Sequence, residues 1–187
     1  MPDHRSRTAG PMPYTHARHL VHPLRGLILS PAALVRRLGL PKDAVVLEVG
    51  PGPGYFSVEV ARSIPQGTLW LLDVQGEMLA MARERIAQSG LANVEYVQGD
   101  ALALPMGEGS FDAAFLVAVL GELPDPGRGL AELHRVLRPL GLMSVTEQIG
   151  DPDARPMHEV KALLEAAGFT VERTFGRGRT FTVNARR

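Results

Sequence analysis

The stretch Val45-Val46-Leu47-Glu48-Val49-Gly50-Pro51-Gly52-Pro53-Gly54 decides how the chain is read. Its run of β-branched and apolar residues predicts a buried parallel strand. The run carries an acidic residue near its end and passes into three glycines at alternate positions. Tyr55-Phe56-Ser57-Val58-Glu59-Val60-Ala61-Arg62 continues at helical spacing. Strand, glycine-rich turn and helix open a nucleotide-binding βαβ unit. Glycine there admits φ > 0 and lets a ligand come close to the backbone. The frame is not G-x-G-x-x-G, which, anchored at Gly50, would put Tyr55 where the third glycine belongs. The pattern present is E-x-G-x-G-x-G.

Outward from this unit, strands and helices alternate. On the amino-terminal side, Ser30-Pro31 reads as a helix cap followed by Pro at the first helical position, with Ala32–Leu38 closed by Gly39 and Pro41. Residues 1–18 are polar, with Pro, His and Arg scattered among them, and read as a mobile arm. On the other side, Thr68–Asp73 is a second strand. Helix 76–89 follows, with Met78, Leu79, Ala82 and Ile86 on one face. Asn93–Gln98 is a third strand, and Phe111–Leu120, apolar throughout, a central fourth. A helix near Arg128–Arg138 precedes a fifth strand, Gly141–Gln148. Helix 157–167 stops at Gly168. Thr170–Thr174 and Thr180–Asn184 pair antiparallel across a Gly176-Arg177-Gly178 turn. The fold class expected is α/β: a Rossmann-like, doubly wound, seven-stranded sheet, mostly parallel, with an antiparallel carboxyl-terminal strand.

Composition narrows the function. A chain of 187 residues with 45% hydrophobic content is one globular domain with a sizeable core. Net charge is zero, which removes the bulk electrostatic case for nucleic acid. There is no Cys, hence no disulfide, thiolate metal site or thiol nucleophile, and no metal is expected. The longest apolar run, Ala113–Leu120, is too short to span a bilayer. A cytoplasmic protein, monomer or homodimer, is the default.

Three successive strands end in acidic residues: Glu48, Asp73 and Asp100. Ligands bind at that edge of wound sheets. Asp73 can accept hydrogen bonds from both hydroxyls of a ribose, or serve as a turn carboxylate. Met78 can cover an adenine, or pack in the core.

Taken with the later motifs, E-x-G-x-G-x-G resembles motif I of the class I S-adenosylmethionine-dependent methyltransferases. Gly99-Asp100-Ala101 with Leu104-Pro105 resembles the adenine-contacting turn of the same family. Phe111 to Asp125 resembles its motif IV, and Leu133-His134-Arg135-Val136-Leu137-Arg138-Pro139-Leu140-Gly141 its helix and turn before the fifth strand. The resemblance covers about residues 44–148 and points to the small branch similar to ubiquinone/menaquinone-biosynthesis methyltransferases. It implies S-adenosyl-L-methionine as donor and S-adenosyl-L-homocysteine as product. The loop of Gly50, Pro51, Gly52 and Gly54 would hold the methionine end, Glu48 the amino group, Asp73 the ribose and Asp100 the adenine. Val74, Met78, Gly99, Ala101 and Val117 would complete the cofactor contacts. A sulfonium tolerates no neighbouring cation, and none stands in the motif loops.

Departures limit what carries over. Gly121-Glu122 stands where many relatives have a polar pair, and Pro139-Leu140-Gly141 replaces Pro-Gly-Gly. The Asn/Asp-Pro-Pro-Tyr motif of nucleic-acid amino methylases is absent. Candidates for handling a proton are Glu122 and His22, with Glu147, His19 and Tyr14 also at the mouth. Each has a bland reading: surface or donor contact for Glu122, packing for His22. Residues 1–30 form an expected arm, with 12–29 over the acceptor site, and 31–187 a single methyltransferase domain. The apolar strand end favours a small apolar or amphipathic acceptor. Two alternatives stand: a non-catalytic adenosyl-cofactor-binding subunit or regulator, and a nicotinamide-dependent reductase. The broken glycine frame and the lack of Tyr-x-x-x-Lys count against the reductase.

Overall fold

Seven strands lie in one sheet in the order β3-β2-β1-β4-β5-β7-β6. A computed structural model describes residues 29–148, 151–178 and 180–187. The strands are β1 (Val45–Val49), β2 (Thr68–Asp73), β3 (Val94–Gln98), β4 (Phe111–Val117), β5 (Leu137–Glu147), β6 (Thr170–Arg177) and β7 (Thr180–Arg186). The helices are α1 (Pro31–Leu38), α2 (Ser57–Ser63), α3 (Gly76–Gln88), α4 (Pro126–Val136) and α5 (Met157–Ala166). β1 to β5 pair in parallel, and β7 runs antiparallel to both β5 and β6. The doubly wound sheet expected from the alternation is therefore the one observed.

Strand alternation divides the core into two layers. Val46, Leu69, Leu71, Ala113 and Phe115 meet Leu34, Val60, Ile64, Leu79 and Ala82 of α1, α2 and α3. Leu47, Val49, Leu72, Ala114, Leu116, Met143 and Val145 meet Leu130, Leu133, Val160 and Leu164 of α4 and α5. Both faces are thus covered, as a parallel sheet requires. Glu48 and Asp73 fall on the α1–α3 side of this alternation, and Glu147 on the α4–α5 side.

Helix ends follow the sequence. Ser30 Oγ accepts from the Ala33 N–H at 3.2 Å, and Gly39 closes α1 in the left-handed region (φ 58°). Asp125 caps α4 through the Arg128 N–H at 3.0 Å, so α4 begins at Pro126 rather than near Arg128.

Four boundaries differ from expectation. β4 stops at Val117, not Leu120, because Ala118 turns to φ 56° while its N–H reaches Thr146 O at 2.8 Å. β5 begins at Leu137, not Gly141. Leu137 already pairs with Phe111, and Pro139-Leu140-Gly141 forms a bulge before pairing resumes at Leu142. Leu140 sits in that bulge at φ 63°, exposed, with its N–H on Arg187 O at 3.1 Å. β6 continues to Arg177, which pairs with Thr180, so Gly176-Arg177 belongs to the ladder rather than the turn. α2 starts at Ser57, after turns over the glycine loop.

Among the described residues no helix is long and apolar enough to cross a membrane. Most of the arm expected over residues 1–30 lies outside the described residues.

The crossover from α2 to β2 is set at Gly67, where a Cβ would stand 2.0 Å from the Ala44 carbonyl oxygen. That backbone cannot yield, since Thr68 N–H bonds the same oxygen at 3.1 Å. Gly67→Ala is expected to lower unfolding free energy by about 1–3 kcal/mol, read by urea denaturation, whereas Gly90→Ala meets no neighbour and is strained only by its φ of 68°.

Candidate active site

The glycine loop is built from alternating constraints. Gly50, Gly52 and Gly54 take φ values of 66°, 52° and 76°, which side chains with a Cβ rarely adopt. Pro51 and Pro53 between them have fixed φ and no N–H. A Cβ at Gly50 would lie 2.6 Å from Val119 Cγ2, and one at Gly54 would lie 3.1 Å from Ala82 Cα. The loop is therefore pressed between the turn after β4 and helix α3.

Its amide groups are already committed. Gly50 N–H bonds Leu72 O at 2.8 Å and Gly54 N–H bonds Pro51 O at 3.1 Å. Gly52 N–H faces the Asp73 carboxylate, together with the N–H groups of Gln75 and Val74. Loops that cradle phosphates do so with free backbone N–H groups. Between Gly50 and Gly54 this one offers none, which disfavours a dinucleotide and its pyrophosphate.

Glu48 stands under the loop at 3% exposure. Its Oε2 accepts from Ser57 Oγ at 2.7 Å. Burial pushes its carboxyl up from 4.5 to about 8; the Ser57 hydrogen bond opposes this and the Asp73 charge adds to it. Among the described residues no cation acts on it, and a buried carboxyl in that setting suits a ligand that brings positive charge. Ser57 was not singled out in the sequence, although it opens the helix after the glycine loop.

Asp73 is buried, and Oδ1 accepts from Gln75 N–H at 2.9 Å. Its burial raises the carboxyl above the usual range, while the three facing amides hold it down. Val74 beside it is 51% exposed, a large apolar side chain open at the rim. Asp100 is exposed, and its Oδ1 accepts from Leu102 N–H at 2.8 Å. Met78 is buried, as are Ala101 and Leu104, and Gly99 packs against Leu72 and Pro105. The strand ends of β1, β2 and β3 thus carry three carboxyls graded from enclosed to open.

One cation approaches the loop that the sequence did not place there. Arg85, from α3, donates through Nε to Pro53 O at 3.0 Å. It lies more than 30 positions along the chain, so only the fold brings it near.

On the other side of the switch between β1 and β4, the rim is apolar at Val117 and Leu120. Glu122 follows in the β4–α4 turn, its N–H on Val119 O at 3.0 Å. The β4–α4 turn is pinned by Gly121, where a Cβ would stand 1.9 Å from Asp153 O. Glu147 ends β5, fully buried. Tyr14, His19 and His22 lie outside the described residues. Among the described residues, no group of His, Cys, Asp and Glu is arranged to hold a metal ion.

A family described as a methyltransferase domain matches residues 46–141. The ubiquinone/menaquinone biosynthesis C-methyltransferase UbiE of Hahella chejuensis is 33% identical over 115 residues, covering 60% of this chain and 46% of that protein. The demethylmenaquinone methyltransferase of Geobacillus kaustophilus is 31% identical over 110 residues, covering 58% and 47%. The chain spans about half the length of these curated relatives. Among solved structures, a SAM dependent methyltransferase from Aquifex aeolicus matches with a TM-score of 0.86 and 27% identity, over 94% of this chain and 99% of that one. The seven-stranded, mostly parallel sheet agrees with these likenesses, and the chain belongs to the class I S-adenosylmethionine-dependent methyltransferases.

Proposed function

We propose that the rim over β1, β2 and β3 holds S-adenosylmethionine, that the acceptor is small, apolar and quinol-like, and that S-adenosylhomocysteine is released. The observation that carries the placement is the enclosed Glu48 carboxyl under a loop whose amides are already taken. A ligand with its own cation and no phosphate fits both features. When bound, S-adenosylmethionine supplies a sulfonium methyl open to in-line displacement.

Glu48 faces the donor's amino group, directly or through water. Gly50, Pro51, Gly52 and Gly54 lie along the methionine end. Asp73 takes the ribose hydroxyls with the lone pairs that its amide partners leave. The exposed Val74 offers an apolar face to the adenine, with Met78, Gly99, Ala101 and Val117 around it. Asp100 accepts from the adenine amine. Holding donor and acceptor in line can supply up to ~7–11 kcal/mol of the acceleration. The two curated relatives are named for quinone-pathway methylation, which supports the quinol-like acceptor. The apolar strand end at Val117 and Leu120 suits it.

Calorimetric titration with S-adenosylhomocysteine is expected to show binding, weakened on the order of ten- to a hundredfold in Asp73→Ala. No heat with wild-type protein would remove the assignment. A panel of hydroquinones, phenols and amines, read by S-adenosylhomocysteine release, is expected to favour hydroquinones.

Glu48 makes a second prediction. Its folded-state carboxyl titrates at about 8 against an ordinary 4.5, so between those values the folded chain keeps a proton that the unfolded chain has lost. Stability from this group therefore falls as pH rises across that window. Glu48→Gln should gain on wild type in thermal stability from pH 5 to pH 8. Binding of the donor's ammonium should expel the proton, giving a buffer-dependent heat at pH 7 of about one proton in wild type and none in Glu48→Gln.

A further inference from the structure

The cofactor reading accounts for the carboxyls of β1, β2 and β3 and leaves the one at the end of β5. Glu147 is 0% exposed, and no side chain among the described residues hydrogen-bonds its Oε1 or Oε2; only the backbone N–H of Arg155 faces the carboxyl. A buried carboxyl so sparsely partnered is rare and costly, and calls for a ligand, a water or a catalytic use. The other buried polar residues of β5 show the contrast: Ser144 Oγ donates to Asn184 Oδ1 at 2.8 Å, and Thr146 and Thr182 share a hydrogen bond at 2.7 Å. Those two face α1, and Glu147, one residue on, faces the other way.

Its position is specific. The β-sheet changes winding direction between β1 and β4, and Glu147 lies on the far side of that switch from Glu48 and Asp73. Two turns bring charge to it. Glu122 comes from the β4–α4 turn, and Asp151 and Arg155 come from the segment before α5; these are the charged groups that act on it. Arg155 is engaged in turn with Glu159 of α5 at 3.5 Å. Burial, Asp151 and Glu122 push the Glu147 carboxyl up to about 8, while the backbone N–H and then the charge of Arg155 oppose them. A carboxyl so tuned can take up a proton near neutral pH.

We propose that Glu147 is the proton acceptor on the acceptor side of this enzyme, receiving the hydroxyl proton of a quinol or phenol as the methyl group is transferred. This rests on the methyltransferase reading above. The O–H bond breaks, its proton goes to a Glu147 oxygen, and its electron pair moves into the ring. A ring carbon takes the methyl from the sulfonium, whose bonding pair stays on sulfur. That carbon's hydrogen then returns to the ring oxygen, restoring the aromatic ring. One proton overall remains on Glu147, and no oxidant or reductant is consumed.

The test uses the full chain carrying [δ-¹³C]glutamate, saturated with S-adenosylhomocysteine, with 1,4-naphthohydroquinone added under anaerobic conditions. Two glutamate signals are expected to titrate near pH 8 in the free protein, one lost in Glu48→Gln and the other in Glu147→Gln. S-adenosylhomocysteine should move the Glu48 signal, and the hydroquinone the Glu147 signal. In turnover with S-adenosylmethionine, the wild-type rate should rise with pH and level off above about 8. Glu147→Gln should lose on the order of a hundredfold or more in kcat and lose that limb, with KM and S-adenosylhomocysteine affinity within about threefold. Its thermal stability should match or exceed wild type, which separates the effect from misfolding. A Glu147 signal indifferent to the hydroquinone overturns the proposal and leaves a carboxyl that only ties the two turns together. So does a Glu147→Gln enzyme within about threefold of wild type across the pH range. A Glu48 signal indifferent to S-adenosylhomocysteine instead counts against the cofactor site.

Discussion

A carboxyl under the glycine loop, enclosed and without a cation beside it among the described residues, is the constraint on which the rim depends. Glu48 has Ser57 Oγ as its hydrogen-bond partner and Asp73 as its charged neighbour. In that setting the neutral form is the stable one until a ligand arrives. The protein could have relieved the cost with an arginine, and Arg85 is close enough to the loop to show what that would look like. Arg85 instead spends its Nε on the Pro53 carbonyl, on the side of α3. A cation at Glu48 would compete with the donor's ammonium in the proposed site and repel a sulfonium. The unfavourable carboxyl is therefore what a site for a cationic ligand needs before that ligand binds.

The same economy governs the backbone. The prolines remove two amides from the loop, and the glycines direct theirs to Leu72, to Pro51 and toward Asp73. Rigidity comes from contacts that tolerate no Cβ: Gly50 against Val119, Gly54 against Ala82, Gly121 against Asp153. Each joins the loop or the β4–α4 turn to a different part of the chain. The apolar layers on either side of the sheet supply the stability, and the rim can remain polar, strained and specific. Ala118 at φ 56° is the clearest instance, since a non-glycine residue in that region costs energy that the surrounding packing must offset.

Much of this was legible because local chemistry and tertiary role coincide. Ser30-Pro31 and Asp125-Pro126 are caps in the sequence and caps in the fold. Glu48 and Asp73 end apolar runs, and strand alternation places both on the α1–α3 face. What could not be read depends on partners distant in sequence. Ala118 looked like one more strand residue, since its turn is set by Thr146 O. Pro139-Leu140-Gly141 has the composition of a turn and is instead a bulge, held within β5 by backbone bonds to Arg187. Glu147 could be noticed as a carboxyl near the mouth. Its burial without a side-chain partner could not, because the groups that act on it come from Glu122 in one turn and Asp151 to Arg155 in another. Arg85 gave no signal at all, being one basic residue among several on a helix.

The two raised carboxyls also suit an apolar end to β4, the strand that stands between β1 and β5. Glu48 and Glu147 are both held near a pKa of 8 by burial, but their charges meet different fates. In the proposed site, the charge on Glu48 is balanced by the donor's ammonium and persists through the reaction. In the proposed step, the charge on Glu147 disappears together with that of the sulfonium, since the acceptor's proton neutralises one as methyl loss neutralises the other. A reaction that annihilates separated opposite charges is favoured by low dielectric, whereas one that creates them is penalised. Val117 and Leu120, both buried and apolar, make the acceptor side of the rim a low-dielectric one. The rim is thus polar where charge must be retained and apolar where charge must be lost.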